Sequence, residues 1–272
     1  MKSPFRFVIL AAFAAALAGG SAWAQEVSFK DPTGDDNGPG KYTYPTDPVY
    51  KPGSFDLTEL KVKESGGKVT FDATVNSALE DPWGMKVGFA TQMIFIFIDT
   101  DGKEGSGNTK GLPGLNVAFA PKDAWDRVVI LSPQPAGRAK SEVEIKAPAL
   151  KAAILVPGRT RGSGRTVSGT VDKKDLGEGD ITTWGYQAVV QSNEGFPAST
   201  DLLTRKVNEF EGQHRFGGGT DGDCDPHVMD VLAGSAMGDK SEADAQHEML
   251  AYECNPDGTP KKMATLTMVH KK

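Results

Sequence analysis

Three Gly-rich segments concentrate the oxygen-bearing side chains of this chain. They are DPTGDDNGPGKYTYPTD at 31–47, IDTDGKEGSGN at 98–108 and GGGTDGDCDPHVMD at 217–230. Their candidate ligands are Asp31, Asp35, Asp36, Asn37 and Asp47 in the first segment, Asp99, Asp101, Glu104 and Asn108 in the second, and Asp221, Asp223, Asp225 and Asp230 in the third.

These acidic segments have the composition of calcium loops. Calcium takes six to eight oxygen ligands, often from alternating carboxylates and backbone carbonyls on a loop that contains glycine. None of the three segments matches a complete EF-hand loop, which also needs a glutamate at its twelfth position. Asp, Asn and Gly also favour turns without any ion, and that alternative stays open for each segment. We expect at least one segment to bind a structural calcium ion.

Motifs of known catalytic sites are missing from the sequence. RGSGR at 161–165 lacks the spacing of a nucleophile elbow, and there is no HExxH, Walker loop or GxGxxG motif. The histidines are scattered, and His227 beside Asp225 and Asp230 is more typical of a turn than of a metal ligand set. Paired carboxylates for glycoside hydrolysis stay open, because they pair in space rather than in sequence. We predict a protein that is not an enzyme.

A few aromatic residues have the placement of a ligand-binding surface. Tyr42 and Tyr44 lie in the first acidic segment, and Trp83 lies in the turn LEDPWG. An exposed aromatic ring can stack on a sugar ring. Trp125 and Trp184 lie next to or within strand-like runs, where the alternative of a core position is stronger. The predicted ligand-binding residues are Tyr42, Tyr44, Trp83 and Trp125.

The first 24 residues have the pattern of a secretory signal peptide. Lys2 and Arg6 precede the apolar run Phe7–Ala18, and small residues lead to a cleavage site after Ala24. The apolar run is too short to span a membrane. We therefore expect an exported protein, periplasmic or secreted, whose residues 25–272 form one domain.

Charge and cysteine content fit this localisation. The chain has 30 Lys+Arg and 36 Asp+Glu, and loss of the signal peptide brings its net charge to about −8. This charge argues against binding to nucleic acid, which needs excess positive charge, and no later apolar run is long enough for membrane insertion. Cys224 and Cys254 are predicted to form a disulfide, as an even cysteine count in an exported chain suggests.

The sequence between and around the acidic segments is predicted to form mainly β-strands. Two alternating runs, 55–64 and 69–75, flank Gly66-Gly67 and predict a hairpin, and the apolar run 93–98 predicts a strand buried on both faces. A helix is predicted over Ser241–Tyr252 with Ser241 as its N-cap, and a shorter one over Leu202–Phe210. Further strands are predicted at 115–120, 127–131, 142–146, 152–156, 166–171, 183–191 and 263–270. This pattern predicts an all-β sandwich of jelly-roll type with one or two short helices near the C-terminus.

Several motifs together resemble a known family. DPTGDDNGPGKYTYPTD, FDLTEL, EDPWG, IDTDG, LPGLNVAFA, WDRVVIL and HRFGGGTDGDCDPHVMDVLA are similar to the C-terminal module of glucodextranase, and similar modules end some amylopullulanases. The resemblance covers about residues 27–233.

This resemblance implies a DOMON-like β-sandwich without catalytic activity, which binds carbohydrate or cell-surface glycan. Other DOMON-like modules bind haem, which leaves a haem-binding or electron-transfer module as the alternative. Met85, Met93, His214 and His227 are the residues available as axial ligands.

Overall fold

The structure is a computed structural model that describes residues 24–193, 197–220, 222 and 224–272. The predicted signal peptide up to residue 23, Asp221 and Asp223 lie outside these residues. The strands are β1 (Gln25–Lys30), β2 (Leu57–Ser65), β3 (Lys68–Val75), β4 (Gln92–Asp99), β5 (Val117–Phe119), β6 (Arg127–Leu131), β7 (Ile154–Leu155), β8 (Thr160–Ser163), β9 (Thr166–Asp172), β10 (Gly185–Ser192), β11 (Asp230–Val231), β12 (Glu253–Cys254), β13 (Pro260–Lys262), β14 (Ala264–Leu266) and β15 (Val269–His270). The α-helices are α1 (Ala136–Lys146), α2 (Lys173–Leu176) and α3 (Glu242–Met249).

Two main sheets form the sandwich. The front sheet has the order β1-β2-β3-β9-β8 and is antiparallel throughout. The back sheet has the order β11-β10-β4-β6-β7, and β15 also pairs with β10. The predicted hairpin is confirmed as β2 and β3, and Gly66 and Gly67 adopt the positive φ values that its tight turn requires.

The back sheet is buried on both faces, as the continuous apolar run in β4 predicted. Every residue of β4 and β10 is buried. Ile94, Ile96 and Ile98 face a core shared with the front sheet, whereas Phe95 and Phe97 face a second core. This second core is closed by α1 and the segments around β5 and β14, with Ala139, Val143, Val117 and Leu266 among its buried side chains. The prediction of an all-β sandwich is confirmed.

Two secondary-structure predictions are wrong. Residues 142–146 belong to α1 rather than to a strand, because Ala139 and Val143 lie one helical turn apart and pack together into the second core. Residues 202–210 form no helix, because their backbone groups bond to distant segments instead. The amide of Leu202 donates to the carbonyl of Pro113, and that of Asn208 donates to the carbonyl of Phe216.

Other boundaries are shorter than predicted. The strand predicted at 115–120 is limited to β5, and the run 263–270 divides into β14 and β15. The C-terminal helix is present as α3, but the side chain of Ser241 makes no capping hydrogen bond.

The predicted disulfide is confirmed between Cys224 and Cys254. It closes a loop that contains both β11 and α3. Within the part of the chain that the structure describes, no helix has the length and apolar character needed to cross a membrane.

Candidate metal centre and ligand surface

Three buried aspartates from two of the acidic segments converge at one edge of the sandwich. Asp31 directly follows β1, Asp35 lies four residues further along the first segment, and Asp230 begins β11. One carboxylate oxygen from each lies within 4.8 Å of the others. We call this group the aspartate centre.

The carboxylates of the aspartate centre are incompletely hydrogen-bonded. Both oxygens of Asp31 and Oδ1 of Asp35 and of Asp230 have no hydrogen-bond partner, although all three residues are at most 5% exposed. The remaining oxygen of Asp230 accepts a 2.6 Å hydrogen bond from the amide of Leu57. Buried polar atoms without partners are rare in folded proteins and often indicate an ion or water at the site.

The electrostatic environment of the centre is negative. The salt bridges formed by the described residues include none of its three carboxylates. Burial, reinforced by the neighbouring carboxylates, raises the pKa of Asp31 and of Asp230 well above the usual range. Burial also raises the pKa of Asp35 to about 7. The site therefore favours the binding of positive charge, whether from protons or from a cation.

Neighbouring polar residues hold the backbone around the centre. Asp56 accepts hydrogen bonds from the amide of Gly34 at 2.9 Å and from Nδ2 of Asn76 at 3.0 Å. Gln246 of α3 donates to the carbonyl of Asp35 and accepts from the amide of Val231. These bonds fix the first acidic segment against both sheets.

Glu242 fixes the loop beside the centre. Its carboxylate accepts hydrogen bonds from the amides of Ser235, Met237 and Gly238, and also from that of Asp239. Burial works to raise the pKa of Glu242, but the hydrogen bond from the Ser235 hydroxyl, together with these backbone hydrogen bonds, holds it below its usual value. Glu242 is thus a satisfied anion, unlike the three aspartates.

The remaining predicted metal ligands lie elsewhere. Asp36 is hydrogen-bonded to the hydroxyl of Tyr44 instead of joining the aspartate centre. Asp99 and Asp101 form a second acidic group with Asp126. Oδ1 of Asp99 accepts hydrogen bonds from the backbone amides of Asp101 and Gly102. This group therefore has the hydrogen bonds of an ordinary turn. Asp221 and Asp223 are outside the described residues.

The predicted aromatic residues divide into buried and partly exposed positions. Trp125 is fully buried in the second core and donates from Nε1 to the carbonyl of Lys110, which leaves its ring no face for a sugar. Tyr42 is 5% exposed, and its hydroxyl donates to the carbonyl of Pro226. Only Tyr44 and Trp83 of the predicted set keep part of their surface accessible.

Trp83 lies at the border of an aromatic cluster. Its ring is 6.2 Å from that of Tyr50 and 6.4 Å from that of His214, and Phe216 packs edge-on against Tyr50. His214 and Phe216 also line a cleft of about 310 Å³. Asn208 and Arg215 are among the other residues of its wall. We call this the Phe216 cleft.

Sequence patterns identify only part of the aspartate centre. Asp31 and Asp35 are predicted ligands of the first segment, and Asp230 is a candidate ligand of the third. No local sequence pattern indicates that Asp230 lies near the other two. Asp56 and Gln246 hold the backbone around the centre and were not predicted as site residues. Each lies in a run whose sequence is typical of an ordinary strand or helix. No signal in FDLTEL marks Asp56 as buried, because an alternating strand also places a polar residue between two apolar ones.

Comparison with known proteins gives one family. A family model described as the C-terminal binding module, SLH-like, of glucodextranase matches residues 27–269. The match runs from β1 to β15 and so includes the aspartate centre, the Phe216 cleft and the disulfide. It extends beyond the resemblance predicted over residues 27–233 and confirms it. No curated protein matches the chain.

Proposed function

The chain belongs to the family of SLH-like C-terminal binding modules of glucodextranase, and from this we propose an exported, non-catalytic module that binds carbohydrate or cell-surface glycan and carries structural calcium. The disulfide supports an oxidising compartment, periplasmic or extracellular. The observation that carries the glycan proposal is the partly exposed Trp83 beside the Phe216 cleft.

Trp83 is the best placed tryptophan for stacking on a sugar. Of the three tryptophans within the described part of the chain, Trp125 and Trp184 are at most 2% exposed. Trp83 is partly exposed. The turn that contains it is stabilised by Asp81, whose carboxylate accepts hydrogen bonds from the backbone amides of Met85 and Lys86. A fixed aromatic ring loses little conformational entropy when a ligand stacks on it.

The Phe216 cleft supplies polar groups next to this ring. Asn208 offers an amide that can both donate and accept, and Arg215 offers several donors, which suits sugar hydroxyls. The volume of about 310 Å³ lies at the lower end of the range for small-molecule sites. The combination of one apolar wall and a few polar groups is the usual composition of such sites.

The outer face of the front sheet is a poorer candidate. Its central strands pair threonines across the ladder, with Thr70 and Thr170 2.9 Å apart and Thr74 and Thr166 also 2.9 Å apart. These hydroxyls already bond to one another, and this row contains no aromatic ring. The proposed binding site is therefore the surface formed by Trp83 and the Phe216 cleft.

Affinity electrophoresis tests the proposal. The wild-type protein is run through gels that contain dextran, amylopectin or a cell-envelope polysaccharide fraction. The two cleft variants are Trp83→Ala, beside the Phe216 cleft, and Asn208→Ala, in its wall, with Thr70→Ala as the matched control on the front sheet. We expect at least one polysaccharide to retard the wild type and Thr70→Ala, with retardation lost in both cleft variants.

Two results would count against this function. Migration unaffected by any polysaccharide would remove the glycan proposal, and retardation that persists in both cleft variants would place binding elsewhere. Reducing sugar is measured in the same incubations. Its release from any of the glucans would contradict the non-catalytic part.

A further inference from the structure

We propose that Asp31, Asp35 and Asp230 together bind one calcium ion, and that this ion clamps the front sheet to the back sheet. The inference rests on the calcium part of the proposed function and is independent of glycan binding. It joins two acidic segments that lie about 200 residues apart in the sequence, on the order of three-quarters of the chain.

The spacing of the carboxylates suits a shared ion. Calcium–oxygen distances are about 2.3–2.6 Å, so two oxygens on one ion are separated by no more than about 5 Å. One oxygen each from Asp31, Asp35 and Asp230 meets this limit, since all three lie within 4.8 Å of one another. The second oxygen of Asp31 is also without a hydrogen-bond partner and is available to the ion.

The burial of these oxygens is the second, independent observation. Asp31 and Asp230 are 5% and 0% exposed, and both oxygens of Asp31 lack a hydrogen-bond partner, so the oxygen that Asp31 offers to the group is unbonded. Burying an ionised carboxylate without a partner is costly, and placing several together adds mutual repulsion. A divalent cation removes both costs at once, whereas a turn that merely favours aspartate would leave its carboxylates in solvent.

Calcium fits the centre better than magnesium does. Magnesium demands near-octahedral geometry and usually keeps several of its waters. The aspartate centre is enclosed and supplies carboxylate oxygens from three side chains on two acidic segments. Calcium accepts irregular coordination by protein oxygens.

The elements that supply the ligands explain the clamp. Asp31 follows β1, which is an edge strand of the front sheet, and Asp230 belongs to β11, which is an edge strand of the back sheet. The carboxylate of Asp230 also accepts a hydrogen bond from the backbone amide of Leu57 at the start of β2. An ion at this position bridges two edge strands, and through Asp35 it fixes the segment 31–47.

Calcium titration of the purified protein tests the assignment. Isothermal titration calorimetry is carried out on protein freed of metal with EDTA, using calcium chloride and then magnesium chloride. The variants are Asp230→Asn and Asp101→Asn, the second of which removes a carboxylate from the other acidic group. We expect the wild type and Asp101→Asn to bind one calcium ion at the centre. In Asp230→Asn, the calcium affinity should fall at least about tenfold. Losing a residue that only supports a metal ligand already has an effect of about this size, and Asp230 is proposed as a ligand itself.

Thermal unfolding keeps the test valid if folding is affected. Calcium at about one hundred times its Kd should raise the Tm of the wild type by about 5–11 °C. The side-chain amide introduced by Asp230→Asn can still accept from the amide of Leu57 through its carbonyl and can donate to Asp31. Without calcium, Asp230→Asn should therefore melt at or above the wild-type temperature, and calcium should no longer raise it.

The outcomes separate the possible failures. No calcium binding to the wild type would overturn both this assignment and the calcium cofactor, while leaving the glycan experiments untouched. Binding that is lost in Asp101→Asn but kept in Asp230→Asn would overturn the location alone. A wild type with equal affinity for magnesium would overturn the choice of ion.

Discussion

Removal of the disulfide should cost the folded protein about 3.6 kcal/mol. Cys224 and Cys254 are 30 residues apart, and the chain-entropy treatment gives this value for a loop of that length at 25 °C. For a domain of this size, such a loss lowers Tm by about 7–14 °C. The effect should arise mainly in the unfolded chain, because the bond restricts the loop that carries β11 and α3.

Guanidinium unfolding followed by tryptophan fluorescence measures this loss. The oxidised protein is compared with the reduced protein and with Cys224→Ala/Cys254→Ala, all in EDTA so that calcium binding does not contribute. Agreement between the reduced protein and the double variant controls for the changed side chains. A difference below about 1 kcal/mol between the oxidised and both bond-free forms would refute the reasoning, because loop closure alone would then contribute little.

Two further predictions concern the first acidic segment. In EDTA, the free energy of unfolding measured in urea should fall by at least about 1 kcal/mol as the pH rises from 5.5 to 8. Burial raises the pKa of Asp35 to about 7 and that of Asp56, which is hydrogen-bonded to Gly34 of the segment, to about 6. The folded chain therefore holds protons in this pH range that the unfolded chain has already lost. A free energy of unfolding that increases over this range would contradict the prediction. The substitution Gly38→Ala should cost about 1–3 kcal/mol more than Gly66→Ala in the same assay, since a Cβ at Gly38 meets the ring of Tyr42 whereas one at Gly66 meets open space. Both glycines have positive φ, so equal losses would exclude the steric explanation.

Local sequence patterns predicted the strands that have a strong period or a clear turn. The hairpin of β2 and β3 was predictable because alternation on both sides of Gly66-Gly67 determines the register and the turn together. The burial of β4 was predictable because an uninterrupted apolar run has no polar face. Residues 142–146 were misassigned because their short run contains only one buried residue, Val143, and its helical partner Ala139 lies outside the run.

The candidate site was only partly predictable for a different reason. Composition identifies residues able to bind calcium, but it does not show which segments meet in space. Asp31 and Asp35 meet Asp230 because β1 and β11 lie at corresponding edges of two separate sheets, a consequence of strand order rather than of any local pattern. Asp36 was equally suitable by composition, yet it accepts a hydrogen bond from the hydroxyl of Tyr44 and is not a member of the group.

The first acidic segment links the two proposed sites through a short series of contacts. Asp35 belongs to the aspartate centre, and its neighbour Asp36 is hydrogen-bonded to Tyr44. The ring of Tyr44 packs 5.2 Å from that of Phe216, which lines the cleft. The backbone of the segment also forms an isolated bridge with the stretch that contains Phe216, since Thr43 and Gly217 exchange two backbone hydrogen bonds.

This arrangement would give the proposed calcium clamp a role beyond general stability. A loop held only by backbone bonds opens locally at lower cost than the sheets it covers. An ion that fixes Asp31 and Asp35 would suppress such opening over the whole segment, because its later residues are already paired with 212–217. The wall of the Phe216 cleft would then be preorganised before a glycan arrives, which lowers the entropy that binding must overcome. The segment would thus be an ordered connection between the proposed metal centre and the proposed ligand surface.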